Sequence, residues 1–129
     1  MCSSKRILVA DDESHIRSVV SLKLSNAGFI VETAGDGREA LELATARRPD
    51  LIITDYHMPQ LSGLELCQRL QESPATARIP TILLTAQGYA LDAQELHRHG
   101  VLQMLSKPFS PRQLLATVNE LLSVATVAA

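Results

Sequence analysis

Hydrophobic positions along the chain follow two alternating rhythms. Short, almost fully apolar runs recur at even spacing: Ile7 to Ala10, Phe29 to Val31, Leu51 to Ile53, Ile82 to Leu84 and Val101 to Leu105. Such runs fit strands of a parallel sheet that is covered on both faces. Between them, apolar residues return every three or four positions, which is the period of a helix with one buried stripe. Ile16, Val19, Val20, Leu24 and Ala27 make the first stripe, stopped by Gly28. Ala40, Leu41, Leu43 and Ala44 make the second, ended by Pro49. Leu64, Cys67 and Leu70 mark a third, closed by Ser73 and Pro74, and a weaker fourth covers Leu91 to His99 before Gly100. The fifth starts near Pro111 and carries Leu114, Leu115, Val118, Leu121 and Leu122.

Strand and helix alternating five times predict a single α/β domain. It is a three-layer sandwich with one parallel five-stranded sheet, right-handed crossovers and helices on both faces. The first, third and fourth strands are uniformly apolar, as central strands should be. Glu32 in the second and Gln103 in the fifth suit the two edges, which an order of 2-1-3-4-5 satisfies. The domain is expected to fill residues 1–129, with a packed core over about 6–123 and a frayed end at SVATVAA.

Bulk composition narrows the partners. At 129 residues the chain can bury about two-thirds of the surface its unfolded form exposes. A formal net charge of −2 gives these residues no electrostatic reason to hold nucleic acid or an anionic membrane. The aromatics, Phe29, Tyr56, Tyr89 and Phe109, are too few for a base-stacking platform. Cys2 and Cys67 form no CxxC pair, so reduced thiols are the default. The start, MCSSKRILVA, has an apolar run too short for a signal peptide or a membrane span, and a cytoplasmic location is expected.

The chemistry gathers where strands end. The run LIITDYHMP, Leu51 to Pro59, is a buried strand that delivers the carboxylate of Asp55 to its carboxyl end. Asp11, Asp12 and Glu13 follow the first strand, Thr85 ends the fourth, and Lys107 follows the fifth. In a parallel sheet these ends share one edge, the place where open α/β sheets bind ligands. Each residue alone has an ordinary reading. Asp12 or Glu13 can favour a helix N-terminus, Thr85 can cap a turn, and Lys107 can be a solvated charge. Together they supply carboxylates for a hard divalent cation such as Mg²⁺, a hydroxyl and a fixed ammonium. That set suits phosphoryl transfer, where a protein mainly positions groups and neutralises charge. Asp55 can serve as the nucleophile and become an aspartyl phosphate.

Asp11-Asp12, LIITDYHMP, Gly63, Thr85-Ala86 and Lys107-Pro108-Phe109 together resemble the receiver domain of two-component response regulators. The resemblance runs from Ile7 to about Leu122 with every spacing intact. It implies a flavodoxin-like (βα)5 fold and a phosphoacceptor at Asp55. The implied donor is a phosphohistidine on a sensor histidine kinase or a histidine phosphotransfer protein. Mg²⁺ would be held by Asp12, Asp55 and the backbone carbonyl of His57, with Asp11 assisting through water. Thr85 and Lys107 would contact the phosphoryl oxygens, and the peptide before Pro108 would be cis, against about 5–6% of X-Pro bonds in general. Such a domain catalyses only its own phosphorylation and dephosphorylation, then acts on a downstream protein target, with no direct nucleic-acid or membrane contact.

Several positions depart from the family. Met104 stands three before the lysine, where an aromatic is usual, and Leu102 and Gln103 replace acidic residues. Thr85 and Met104 are therefore the expected switch. His57 and Gln87, each two after a site residue, are expected to tune phosphate lifetime. Leu102, Gln103 and a charge-poor fourth helix lack a charged dimer network, so a monomer is expected.

Other classes fit less well. An aspartate-nucleophile phosphatase would carry a second aspartate where His57 stands. A nucleotide enzyme would show GxxxxGK, or GxGxxG after a strand. A phosphate-independent interaction domain would be expected to lose Asp55 or Lys107, and both are present. His97 and His99 lie two apart and point to different helix faces, Arg47-Arg48 reads as a solvated helix end, and Met58 reads as packing.

Overall fold

The protein is described by a computed structural model covering residues 5–85, 93–107 and 109–128. Strands and helices alternate throughout: β1 (Arg6–Ala10), α1 (Ser14–Asn26), β2 (Ile30–Ala34), α2 (Gly37–Arg47) and β3 (Leu51–Asp55) come first. They are followed by α3 (Gly63–Gln71), β4 (Thr81–Thr85), α4 (Ala93–Arg98), β5 (Val101–Ser106) and α5 (Pro111–Ala128). All strand pairs are parallel, and the order is β2-β1-β3-β4-β5 as the strand compositions predict. β3 and β4 are buried along their whole length, whereas β2 and β5 expose polar positions at the two edges.

Alternate side chains of each strand feed two separate core layers. Ile7, Val9 and Ile53 pack with Val20 and Leu24 of α1 and Leu114 and Val118 of α5. Leu8, Ala10 and Ile52 face the other way, onto Ala40 and Ala44 of α2 and Leu66 and Leu70 of α3. This is the period-two alternation of a strand filling both faces. The small Ala40 and Ala44 bring α2 close to the sheet, and α3 starts on a capping box. There the Ser62 hydroxyl accepts the Glu65 N–H at 3.1 Å, and Glu65 accepts the Ser62 N–H at 2.9 Å.

Local details depart from the pattern at element ends. The second strand starts after Phe29 and runs on to Ala34, because backbone pairing with β1 carries it past the apolar stretch. α2 ends on Arg48 in a left-handed conformation (φ 46°), whose N–H caps the Ala44 carbonyl, one residue ahead of Pro49. Arg47 and Arg48 are exposed, a solvated helix end as expected, with Arg47 reaching Glu32 at 3.4 Å. Ala27 is exposed beyond α1. α5 continues through 123–128, the stretch expected to fray; neither glycine nor proline interrupts it there. Among the described residues no helix is long and apolar enough to cross a membrane. Gln87 and the peptide before Pro108 lie outside the described residues.

Candidate functional site

Sheet register sets the site. Ala10 pairs with Thr54, Asp55 with Leu84, and Thr85 with Ser106, so the carboxyl ends of β1, β3, β4 and β5 lie side by side. Asp11 and Asp55 are buried there, and Asp12 is exposed at the rim. One carboxylate oxygen from each of these three residues lies within 4.8 Å of the others. Backbone bonds fix the frame: the Asp11 N–H donates to Ala34 O at 3.1 Å, and the Lys107 N–H to Thr85 O at 2.7 Å.

One ammonium balances the acids. Lys107 Nζ stands 3.1 Å from Asp11 Oδ2, 3.3 Å from Asp55 Oδ1 and 3.2 Å from Glu13 Oε1. Burial pushes the Asp11 carboxyl above its usual range, with the Lys107 charge and the Glu13 N–H pulling the other way. Asp55 is raised as well, by burial first and then by the neighbouring Asp11 charge, against the pull of Lys107. Burial draws the Lys107 pKa down, but the Asp11 and Asp55 charges outweigh it and leave it raised. The arrangement concentrates negative charge in excess of the one cation, which favours a further cation over another anion.

Oxygen-only donors of this kind suit Mg²⁺. Asp11 already accepts the Glu13 N–H on Oδ1 at 2.9 Å and Lys107 on Oδ2, whereas Asp12 is exposed. Thr85 Oγ1 is buried at the same edge with no hydrogen-bond partner among the described residues. A buried hydroxyl is rarely left unpaired. The residues present therefore fit both a divalent cation and an anionic oxygen.

Sequence reasoning singled out Asp11, Asp12, Asp55, Thr85 and Lys107, and the fold brings all five together. His57 follows on the β3–α3 loop, exposed, with its ring edge-on to Tyr56 at 4.8 Å between centroids. Met104 lies on β5, half-buried against the cluster of Cys67, Leu83, Leu96 and Val101. Two participants go beyond those five. Glu13, named with the strand-end acids but given no separate role, shares Lys107. Arg17 donates from Nη1 to the Asp11 carbonyl at 2.6 Å and holds the acidic turn against α1. Glu13 was visible beside the two aspartates; nothing local marked Arg17.

The chain is similar in sequence and fold to known proteins. Residues 7–119 match the family described as the response regulator receiver domain. The alkaline phosphatase synthesis transcriptional regulatory protein PhoP of Bacillus subtilis is 37% identical over 126 residues, 98% of this chain and 52% of that protein. The chain thus spans about half the length of the curated relatives it matches. Among solved structures, the chemotaxis response regulator CheY4 of Vibrio cholerae aligns with a TM-score of 0.84 at 37% identity. That alignment covers 92% of this chain and 98% of that one. The receiver domain of the sensor histidine kinase PA1611 of Pseudomonas aeruginosa, whose structure has a magnesium ion in the active site cleft, aligns at 0.81 with 26% identity. It covers 92% and 97% of the two chains.

Proposed function

The chain belongs to the response regulator receiver domain family, and on that premise we propose that Asp55 is its phosphoacceptor. The donor is a phosphohistidine on a sensor histidine kinase or a histidine phosphotransfer protein. The observation that carries this reading is Lys107 Nζ within 3.3 Å of both Asp55 and Asp11 at an edge that also holds Asp12 and the unpartnered Thr85 hydroxyl. A carboxylate oxygen of Asp55 attacks phosphorus while the phosphorus–nitrogen bond breaks. The electron pair stays on the imidazole nitrogen, and the product is an acyl phosphate. Lys107 turns from the Asp55 carboxylate to the transferred phosphoryl oxygens, and the Thr85 hydroxyl donates to another of them. Asp12, Asp55 and the His57 carbonyl would hold Mg²⁺, with Asp11 linked through water because its oxygens are already engaged. When bound, the ion supplies positive charge against which the carboxylates and phosphoryl oxygens approach one another.

Occupancy of the site is read out through Thr85 and Met104, which sit on adjacent strands. The domain is a signalling module that acts on its own Asp55, and we place it in the cytoplasm, in keeping with the buried, unpaired thiol of Cys67. Its output is a further proposal. One relative is named a transcriptional regulatory protein, so an output reaching DNA through another segment fits alongside a direct protein target. The charge argument against nucleic acid concerns these 129 residues alone.

Intact-mass measurement after incubation with phosphoramidate tests the reading. One phosphoryl group should add when Mg²⁺ is present and none when it is chelated, and Asp55→Asn should take none. Undiminished labelling of that variant would overturn the assignment. His57 lies two residues past the acceptor, beside the path of the water that hydrolyses the acyl phosphate, so His57→Ala should change the decay of the phosphorylated form several-fold, a barrier change of roughly 1 kcal/mol, with labelling intact. Equal decay rates in both proteins would remove His57 from the lifetime.

A further inference from the structure

We propose that the concavity between α2, the β3–α3 loop and α3 is a docking site for an acidic segment of a partner protein, one carrying an apolar side chain between its carboxylates. It encloses about 300 Å³ and is lined by Arg38, Leu41, Gln60, Leu61 and Arg69. Leu41 and Leu61 are half-buried and give the concavity apolar surface beside two exposed arginines.

Their guanidinium groups are poorly neutralised by the chain itself. The acid one turn before Arg69 is Glu65, but its carboxylate is drawn into the capping box with Ser62. Arg69 has no ion pair among the described residues, and Arg38 meets Glu42 only at 4.0 Å with both side chains largely solvated. A pair that exposed contributes little and is readily exchanged. Planar guanidinium groups suit bidentate pairing with carboxylates. The patch is thus locally cationic on a chain whose net charge is −2.

The apolar surface is built before any ligand arrives. The Gly37 N–H donates to Pro59 O at 3.3 Å, and the Leu61 N–H to the same carbonyl at 2.9 Å. A side chain on Gly37 would collide with Leu61 O, so α2 and the loop are held at backbone contact. Gln60 keeps a left-handed conformation (φ 73°) that few non-glycine residues adopt. A fixed surface loses little freedom on binding. The volume is at the lower bound for a small-molecule pocket and suits one apolar side chain with its charged neighbours. The same loop leaves directly from Asp55, and the Gly63 N–H closes it onto Tyr56 O at 2.7 Å.

The test is an amide NMR titration of the whole chain with the peptide acetyl-Asp-Glu-Leu-Asp-Glu-amide. Saturable shifts centred on the amides of Arg38, Leu41, Gln60, Leu61 and Arg69 are expected, weakening at least tenfold in Arg38→Glu/Arg69→Glu. If that double variant loses its dispersed spectrum, Arg69→Gln alone should give a smaller loss in the same direction. Absence of shifts at these amides overturns the proposal, as does equal affinity in the variants. Equal response to inorganic phosphate, or to the peptide with glutamines for its acids, also overturns it. Neither arginine touches the phosphorylation site, so phosphoramidate labelling of Asp55 should be the same in every variant. Failure of docking and failure of the phosphoacceptor reading are thereby separated.

Discussion

Asp55 is a carboxylate in a place where a neutral group would be easier to bury. Its pKa and that of Asp11 are both raised above the ordinary 3.8, burial being the main cause in each. A raised folded-state pKa means the folded protein holds the proton more tightly than the unfolded chain does. The associated stability is therefore full below the unfolded value and lost as pH rises through the raised folded value. At neutral pH the ionised pair weakens the metal-free fold. Lys107 has the opposite consequence there: its raised pKa keeps its stabilising charge until the pH exceeds its ordinary 10.5. Two results should follow in thermal melts with a chelator present. Melting temperature should rise as pH is lowered from neutrality toward the raised carboxylate values, and Asp55→Asn should melt above wild type. Mg²⁺ should shrink that gap, and a lower melting temperature for Asp55→Asn in chelator would refute the charge argument. The acids and the lysine were legible in the sequence because each ends a strand at one edge. The share of Lys107 taken by Glu13 was not, since the pair lies 94 positions apart and depends on how the end of β5 meets the start of α1.

At the level of elements, close backbone approach decides what the loops tolerate. Gly63 opens α3, where alanine would gain about 1 kcal/mol in helix propensity. A Cβ there would collide with Asp55 O and press on Leu83, and overpacking of that kind costs about 1–3 kcal/mol. Gly63→Ala should therefore lower the stability read from urea unfolding by roughly 1–2 kcal/mol, and a more stable variant would contradict the close approach. The sequence marked Gly63 as the start of a helix but carried no sign of the carbonyl beside it. Met104 raises a second point at this scale. It is half-buried on the neighbouring strand to Thr85, with a flexible unbranched side chain where the family's aromatic would sit. A ligand shifts a two-state equilibrium only by its differential affinity for the two states. Methionine should separate them less sharply than an aromatic, by about 1 kcal/mol. Methyl NMR should find Met104 in several rotamers before activation by beryllofluoride and a shifted mixture afterwards. A single rotamer replaced outright by another would mean a discrete switch.

Across the whole molecule, the fold was more legible than its ends. The apolar runs Ile7–Ala10, Leu51–Ile53 and Ile82–Leu84 inside β1, β3 and β4, beside the polar marks Glu32 and Gln103 in β2 and β5, separate central strands from edges, because burial on both faces disfavours polar side chains there. Boundaries were harder to read, since pairing with β1 carries β2 through Glu32 and Thr33, and α5 continues over residues whose propensities are weak. The proposed function depends on one residue, Asp55, acting as nucleophile. The most direct measurement treats the chain with phosphoramidate and Mg²⁺, reduces the acyl phosphate with borohydride, and maps the resulting homoserine by tandem mass spectrometry. Homoserine at position 55 alone is the predicted result. Homoserine at Asp11 or Asp12, or at no aspartate after confirmed incubation with donor and metal, would contradict it.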